Sequence, residues 1–168
     1  LSGTQTVAAI NGTATFNNLS INKFGTGYTL TASGTNVTGA ISNPFNITVG
    51  APSIINATAG SGQSATINST FATALQATVR DASGNPVSGV TVTFSSPSSG
   101  AGASLSSTSA ITNSAGAANV TAVANNTAGD YAITARAGAL SALLPLTNSV
   151  TIPASLTVVS GAPQSAAT

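Results

Sequence analysis

Two stretches of this chain carry the same framework of residues 101 positions apart. Pro52 to Gln63 reads PSIINATAGSGQ and runs on into Ser64-Ala65, while Pro153 to Gln164 reads PASLTVVSGAPQ and runs on into Ser165-Ala166. The Pro, the Gly eight residues later and the Gln-Ser-Ala eleven residues later coincide. A second pair of stretches agrees with the first. Gly12 to Phe16 and Gly25 to Ala32 match Gly116 to Val120 and Ala128 to Ala135, at offsets of 104 and 103. A drift of a few residues between copies is ordinary loop variation. A fixed period constrains a fold strongly, because each copy must close its core in the same way.

The period, about 100 residues, is the size of one immunoglobulin-like sandwich. Its phase aligns Leu1 with Leu105. Residues 1–50 are then expected to be the C-terminal half of one repeat, 51–151 a complete repeat, and 152–168 the first strand of a following one. Both ends of the chain fall inside repeats on this reading. Alternation at period two supports strands throughout. Leu75, Ala77 and Val79 point one way; so do Val90, Val92 and Phe94, then Ala118, Val120 and Ala122, then Tyr131, Ile133 and Ala135. In the half-repeat Ala14 and Phe16 alternate, then Tyr28, Leu30 and Ala32, then Phe45, Ile47 and Val49. Asp81 to Gly89 is dense in turn formers. The predicted class is all-β, as tandem immunoglobulin-like sandwiches. The predicted core of the complete repeat is Leu75, Val79, Val92, Phe94, Val120, Tyr131 and Ile133.

The stretch from Ala77 to Phe94, ATVRDASGNPVSGVTVTF, resembles the signature of bacterial Ig-like group 1 domains, the repeats of invasin- and intimin-type surface proteins. Pro153 to Gly161 is similar to their first strand, and residues 12–32 resemble a related Ig-like repeat of very long bacterial surface proteins. The resemblance implies a sandwich of seven or more strands serving as a rod segment, with no catalytic residues to carry over.

Composition narrows the function. Only Lys23, Arg80, Asp81, Asp130 and Arg136 carry charge, 3% of the chain, against about a quarter in ordinary soluble domains. Three scattered cations cannot supply the counterion release that nucleic-acid binding needs. No apolar run approaches the ~18 residues of a membrane helix. With no His or Cys, a Ser nucleophile has no imidazole base and a thiolate metal site has no ligands. Asp81 and Asp130 read as turn residues. A calcium site from Asp81, Asn85 and nearby carbonyls would be weak at best, since calcium takes six or more oxygens, usually from several carboxylates. Lys23, in an Asn-Lys-Phe-Gly loop, reads as solvated rather than as a crosslinking lysine. No enzyme activity, cofactor or metal is expected.

Asn-x-Ser/Thr sequons occur at Asn11, Asn18, Asn36, Asn46, Asn56, Asn68, Asn119 and Asn125. Ser and Thr make up about 30% of residues, so composition alone gives roughly four or five among fifteen asparagines. The excess, on a surface short of charge, suggests covalent glycans as the solubilising coat; Asn119 and Asn125 read as the best placed. The expected role is an extracellular fibre or adhesin stalk whose partners are adjacent repeats or further copies of the chain. Two alternatives are a pilus-like subunit joined by β-strand exchange and a surface binding module. The scarcity of aromatics outside strand positions weighs against the last.

Overall fold

The computed structural model describes residues 1–151. The predicted opening strand at 152–168 lies outside the described residues. Among the described residues every regular element is a strand, numbered β1 to β14 in chain order.

Residues 54–149 build two facing sheets around one core. The larger sheet has the order β10 (Ser109–Ile111), β8 (Thr91–Ser95), β13 (Gly129–Ala137), β14 (Leu140–Ser149), β6 (Gln63–Thr66). The smaller has the order β11 (Ala117–Val120), β7 (Leu75–Arg80), β5 (Ile54–Ala59). A short ladder of β9 (Ala103–Leu105) and β12 (Ala122–Ala124) extends from them. All pairings are antiparallel except β6 with β14, which is parallel.

That one parallel pairing explains the repeated framework. The opening strand begins in the small sheet as β5 and crosses to the large sheet as β6. The crossing is made at Gly60, whose φ is 76°; a Cβ there would come within 2.5 Å of the Ala74 carbonyl oxygen. Left-handed backbone at such close approach selects glycine. Gln63 then fastens the crossing. Its Nε2 donates to the carbonyls of Gly60 (2.8 Å) and Thr73 (2.6 Å), and its Oε1 accepts from Thr73 N–H (2.8 Å).

The alternation phase holds in the complete unit. Leu75, Val79, Val92, Ile133 and Ala135 are fully buried, with Phe94, Ala118, Val120 and Ala122 close behind, in one cluster. Tyr131 is the exception. Its ring packs against the cluster but is only half-buried, and its hydroxyl is enclosed with no hydrogen-bond partner. Burial pushes that phenol up to about 12. β14 was not foreseen. The run Leu143-Leu144 and the proline at Pro145 hide its alternation, yet Leu144 and Leu146 are in the core while Leu143 is 62% exposed. Pro145 is tolerated because the β6 ladder begins only at Leu146, so its missing N–H costs no bond there. Its carbonyl accepts from Gly62 N–H at 2.7 Å.

Residues 1–50 are different. They form a bent hairpin in which β1 (Gly25–Tyr28) pairs with β4 (Phe45–Ile47) and β2 (Thr31–Gly34) with β3 (Val37–Ile41). The bend lies at Leu30 and Ser42, where Ser42 Oγ replaces a ladder carbonyl by accepting Leu30 N–H (2.9 Å). No side chain of residues 1–50 is buried, and Ile10, Val37 and Ile41 are 67–74% exposed. The strand expected through Ala14 and Phe16 does not form. Its counterpart β11 is a strand because it pairs with β7; residues 1–50 contain no strand in the place of β7, so nothing accepts the ladder.

The register of β14 gives a direct test. Leu144→Ala is expected to cost about 2–5 kcal/mol in urea unfolding through its core cavity. The neighbouring Leu143→Ala should stay within about 0.5 kcal/mol, because it empties no cavity. Equal effects would mean the register is wrong.

Candidate functional site at the Asp81–Asn85 turn

β7 ends at Arg80 and the chain folds back through Asp81-Ala82-Ser83-Gly84-Asn85, with Arg80 bridging to Pro86. The fold-back is local chemistry. Asp81 Oδ1 accepts from the N–H groups of Ser83 (2.9 Å) and Asn85 (2.8 Å), the way a short carboxylate imitates a backbone turn. Asp81 N–H donates to the Asn85 carbonyl (2.9 Å) and Gly84 N–H to the Asp81 carbonyl (3.0 Å). Arg80 Nη1 donates to the Gly84 carbonyl (2.7 Å), outside the turn.

The second carboxylate oxygen reaches beyond the turn. Asp81 Oδ2 accepts from Asn85 Nδ2 (3.0 Å) and from Gly50 N–H (3.0 Å), the residue that leads out of the N-terminal hairpin. Asn85 continues the contact. Its Nδ2 also donates to the Asn22 carbonyl (2.9 Å), and its Oδ1 accepts from Phe24 N–H (3.3 Å). Asp81 and Asn85 are both buried, at 4% and 8% exposed. Two adjacent polar side chains thus tie the first part of the chain to the sandwich through three backbone groups. The bonds of the joint are polar, and the cleft beside it, about 530 Å³, has a mixed wall in which Ile21, Ile47 and Pro52 stand beside Asn22, Asp81 and Asn85.

This geometry settles what Asp81 does. The Asn85 amide first, and the Gly50 N–H next, hold its carboxyl down from 3.8 to about 2, against the opposing effect of burial. Each oxygen already faces two N–H donors, the reverse of what a calcium ligand needs. Arg80, next to it in the chain, gives its guanidinium to the Gly84 carbonyl. Lys23 is exposed. Asp130, read as preceding its strand, lies within β13, and its Oδ1 accepts from Thr147 Oγ1 (2.6 Å).

The sequon asparagines fall into three settings. Asn11, Asn36 and Asn68 are exposed at turns with φ of 51°, 60° and 61°, the left-handed region that asparagine enters more readily than most residues. Asn56 and Asn119 are exposed on strands of the small sheet. The rest use their amides in structure. Asn18 exchanges bonds with Thr4, and Asn46 Oδ1 accepts from Gly27 N–H. Asn125 is half-buried. Its Nδ2 donates to the Gly100 carbonyl, and its Oδ1 accepts from Thr127 N–H and from Asn148 Nδ2. Asn119 therefore sits as outward as its alternation implied, whereas the Asn125 amide is occupied within its loop.

Sequence reasoning found the turn but not its partners. Asn22, Phe24 and Gly50 contribute backbone atoms, which leave no mark in residue identity. The one available signal was Asn85: a turn needs the Asp, but a buried carboxamide beside it has donors and acceptors left over.

Two outcomes follow. Asn85→Ala removes both bonds to the 22–24 loop, so exchange of the Phe24 amide should quicken by about two- to tenfold, with Val92 unchanged. Because the folded carboxyl lies below its ordinary 3.8, ionised Asp81 stabilises the turn fully above that pH, and the contribution is lost as pH falls through about 2. The Ser83 and Gly50 amides should therefore keep their protection at pH 4 and lose it together near pH 2. Loss already complete at pH 4 would contradict this.

A family model for the bacterial Ig-like domain (group 1) matches residues 68–154. Among solved structures the chain is similar to the D00-D0 domain of intimin, at 24% identity and a TM-score of 0.45, covering 66% of this chain and 58% of that one. It is similar to the D0-D1 domain of intimin at 21% identity and 0.42, covering 70% and 58%. It is similar to domains 4-9 of the surface layer protein SbsC at 20% identity and 0.47, covering 72% and 18%. The chain thus spans less than two thirds of each of these structures. No curated protein matches it. The family match takes in β7 to β14, which include most of both facing sheets and the Asp81–Asn85 turn, and on that ground the chain belongs to the bacterial Ig-like (group 1) family.

Proposed function

We propose that this chain is a non-enzymatic structural segment of an extracellular, cell-surface fibre or stalk, in which Ig-like units follow one another end to end. The carrying observation is the joint: residues 22–24 and Gly50 are held by Asp81 and Asn85 of the next unit. Family membership and the lack of any His or Cys support a structural rather than catalytic role. Residues 1–50 are read as the closing half of a preceding unit. Their hairpin pairs Tyr28 with Phe45 where the complete unit pairs Tyr131 with Leu146, and its open apolar face matches the face that β13 and β14 bury.

The units are read as parts of one continuous chain. Strand exchange between separate copies is the second reading, and the open face and edges of the hairpin at 25–47 favour it. Glycans on the exposed asparagines, with Asn11, Asn36, Asn56, Asn68 and Asn119 best placed, would supply the solubility that 3% charge does not.

Electron microscopy and intact mass of native material test this. Ten residues of β14 at about 3.4 Å each set an axial repeat of roughly 35–40 Å. Rods with that spacing and a mass of many repeats are expected. Rods that dissociate in denaturant into 16.0 kDa chains would favour strand exchange, and a monodisperse monomer would defeat both readings. Native peptides without any sugar would remove the glycan part alone.

A further inference from the structure

The outer faces of the two sheets differ. On the small sheet Asn56 and Asn119 stand exposed, each opening a sequon. The five strands of the large sheet contain no sequon. Their outward residues are mostly Ser and Thr, with an apolar patch of Ala132, Leu143 and Pro145 on β13 and β14. Leu143 is 62% exposed.

Two of the chain's few charged residues flank that patch. Asp130 and Arg136 are both exposed and both outward on β13. At about 3.4 Å per residue they stand roughly 20 Å apart, too far to pair with each other. Asp130 takes a neutral partner instead, accepting from Thr147 Oγ1 across the ladder (2.6 Å). Midway between the two charges is the pair Ile133 and Leu144, whose side chains point into the core.

We propose that this outer face is a lateral docking surface for a second copy of the chain. The copies lie face to face, β13 over β13 and antiparallel, about a two-fold axis that crosses the strands at Ile133 and Leu144. A two-fold contact is self-complementary: Asp130 of each copy meets Arg136 of the other, so one surface forms the ion pair twice. An axis running along β13 would set Asp130 on Asp130 and Arg136 on Arg136, and like charges disfavour that arrangement. The charges therefore select one orientation. In it Leu143 of each copy lands on Pro145 of the other, and Ala132 on Thr134, which puts the apolar patch at the centre and the charges at the rim, as in specific interfaces. Packed sheets cross at about 30°, which moves a charge 10 Å from the axis sideways by about 5 Å, within the reach of an arginine.

The face spans roughly 500 Å², so two copies bury about 1,000 Å², the low end of specific interfaces. The dimer is accordingly weak and reversible. Sugar on Asn56 or Asn119 would sit on the opposite face and leave it clear. The contact is sideways, and it stands independently of the end-to-end reading.

Sedimentation equilibrium of the 168-residue chain from about 10 μM to 1 mM tests it, the range where so small an interface dissociates. The expected result is reversible passage from 16.0 kDa to twice that mass, weakened by added salt. Asp130→Arg and Arg136→Asp should each weaken self-association by about tenfold or more. An equal mixture of the two variants should associate again, and the double variant should recover self-association, because both restore opposite charges at each contact. Val92 amide protection, unchanged in every variant, reports an intact fold. A chain that stays monomeric over the whole range overturns the proposal. A dimer indifferent to the charge reversals is joined elsewhere; it overturns this face and leaves strand exchange at the hairpin of residues 25–47 as the contact.

Discussion

One carboxylate is held ionised by amides: Asp81 spends its two oxygens on four N–H donors, two within its own turn, one from Asn85 and one from Gly50. The rest of the joint depends on that. Fixing Asp81 fixes Asn85, and Asn85, once buried, has a carbonyl and an N–H of its amide left to satisfy. They are satisfied by Phe24 and Asn22. A buried amide left without such partners costs about 1–3 kcal/mol, so the turn is complete only when another stretch of backbone sits on it.

The same device recurs across a molecule that has almost no ion pairs available to it. Gln63 clamps the sheet crossing, Asn148 gathers the loops at the far end, and Thr112 Oγ1 joins the Val87 carbonyl to Val90 N–H. Neutral amides and hydroxyls bonded to backbone do the work that charged pairs do elsewhere. Such bonds respond little to salt, because neither partner carries a full charge. The device also has a visible limit: Asn148 Oδ1 and the Tyr131 hydroxyl are enclosed without partners.

Much of the sandwich was legible in the sequence because burial on one face leaves alternation behind. Val92 and Phe94, Ala118 and Val120, and Ile133 and Ala135 could be placed inward by that alone. β14 escaped because adjacent leucines and Pro145 break the pattern, and the parallel β6 escaped because a strand of four residues shows too little of it. The strand through Phe16 was predicted on a good pattern and is absent, since alternation reports what a face could bury and not whether a partner is there. Gly60 and Gln63 were conspicuous as a repeated framework, but their task, moving one strand between sheets, is a fact of three dimensions. The joint was the least legible part, being built half from backbone.

The central claim is that Ig-like units are coupled end to end through this turn. A cryo-electron-microscopy map of the native material at side-chain resolution tests it most directly. The account predicts that every Asp-x-x-x-Asn turn sits on the preceding unit, with the carboxamide between a carbonyl and an N–H two residues apart. Turns facing solvent, with consecutive units joined only by extended chain, would contradict it.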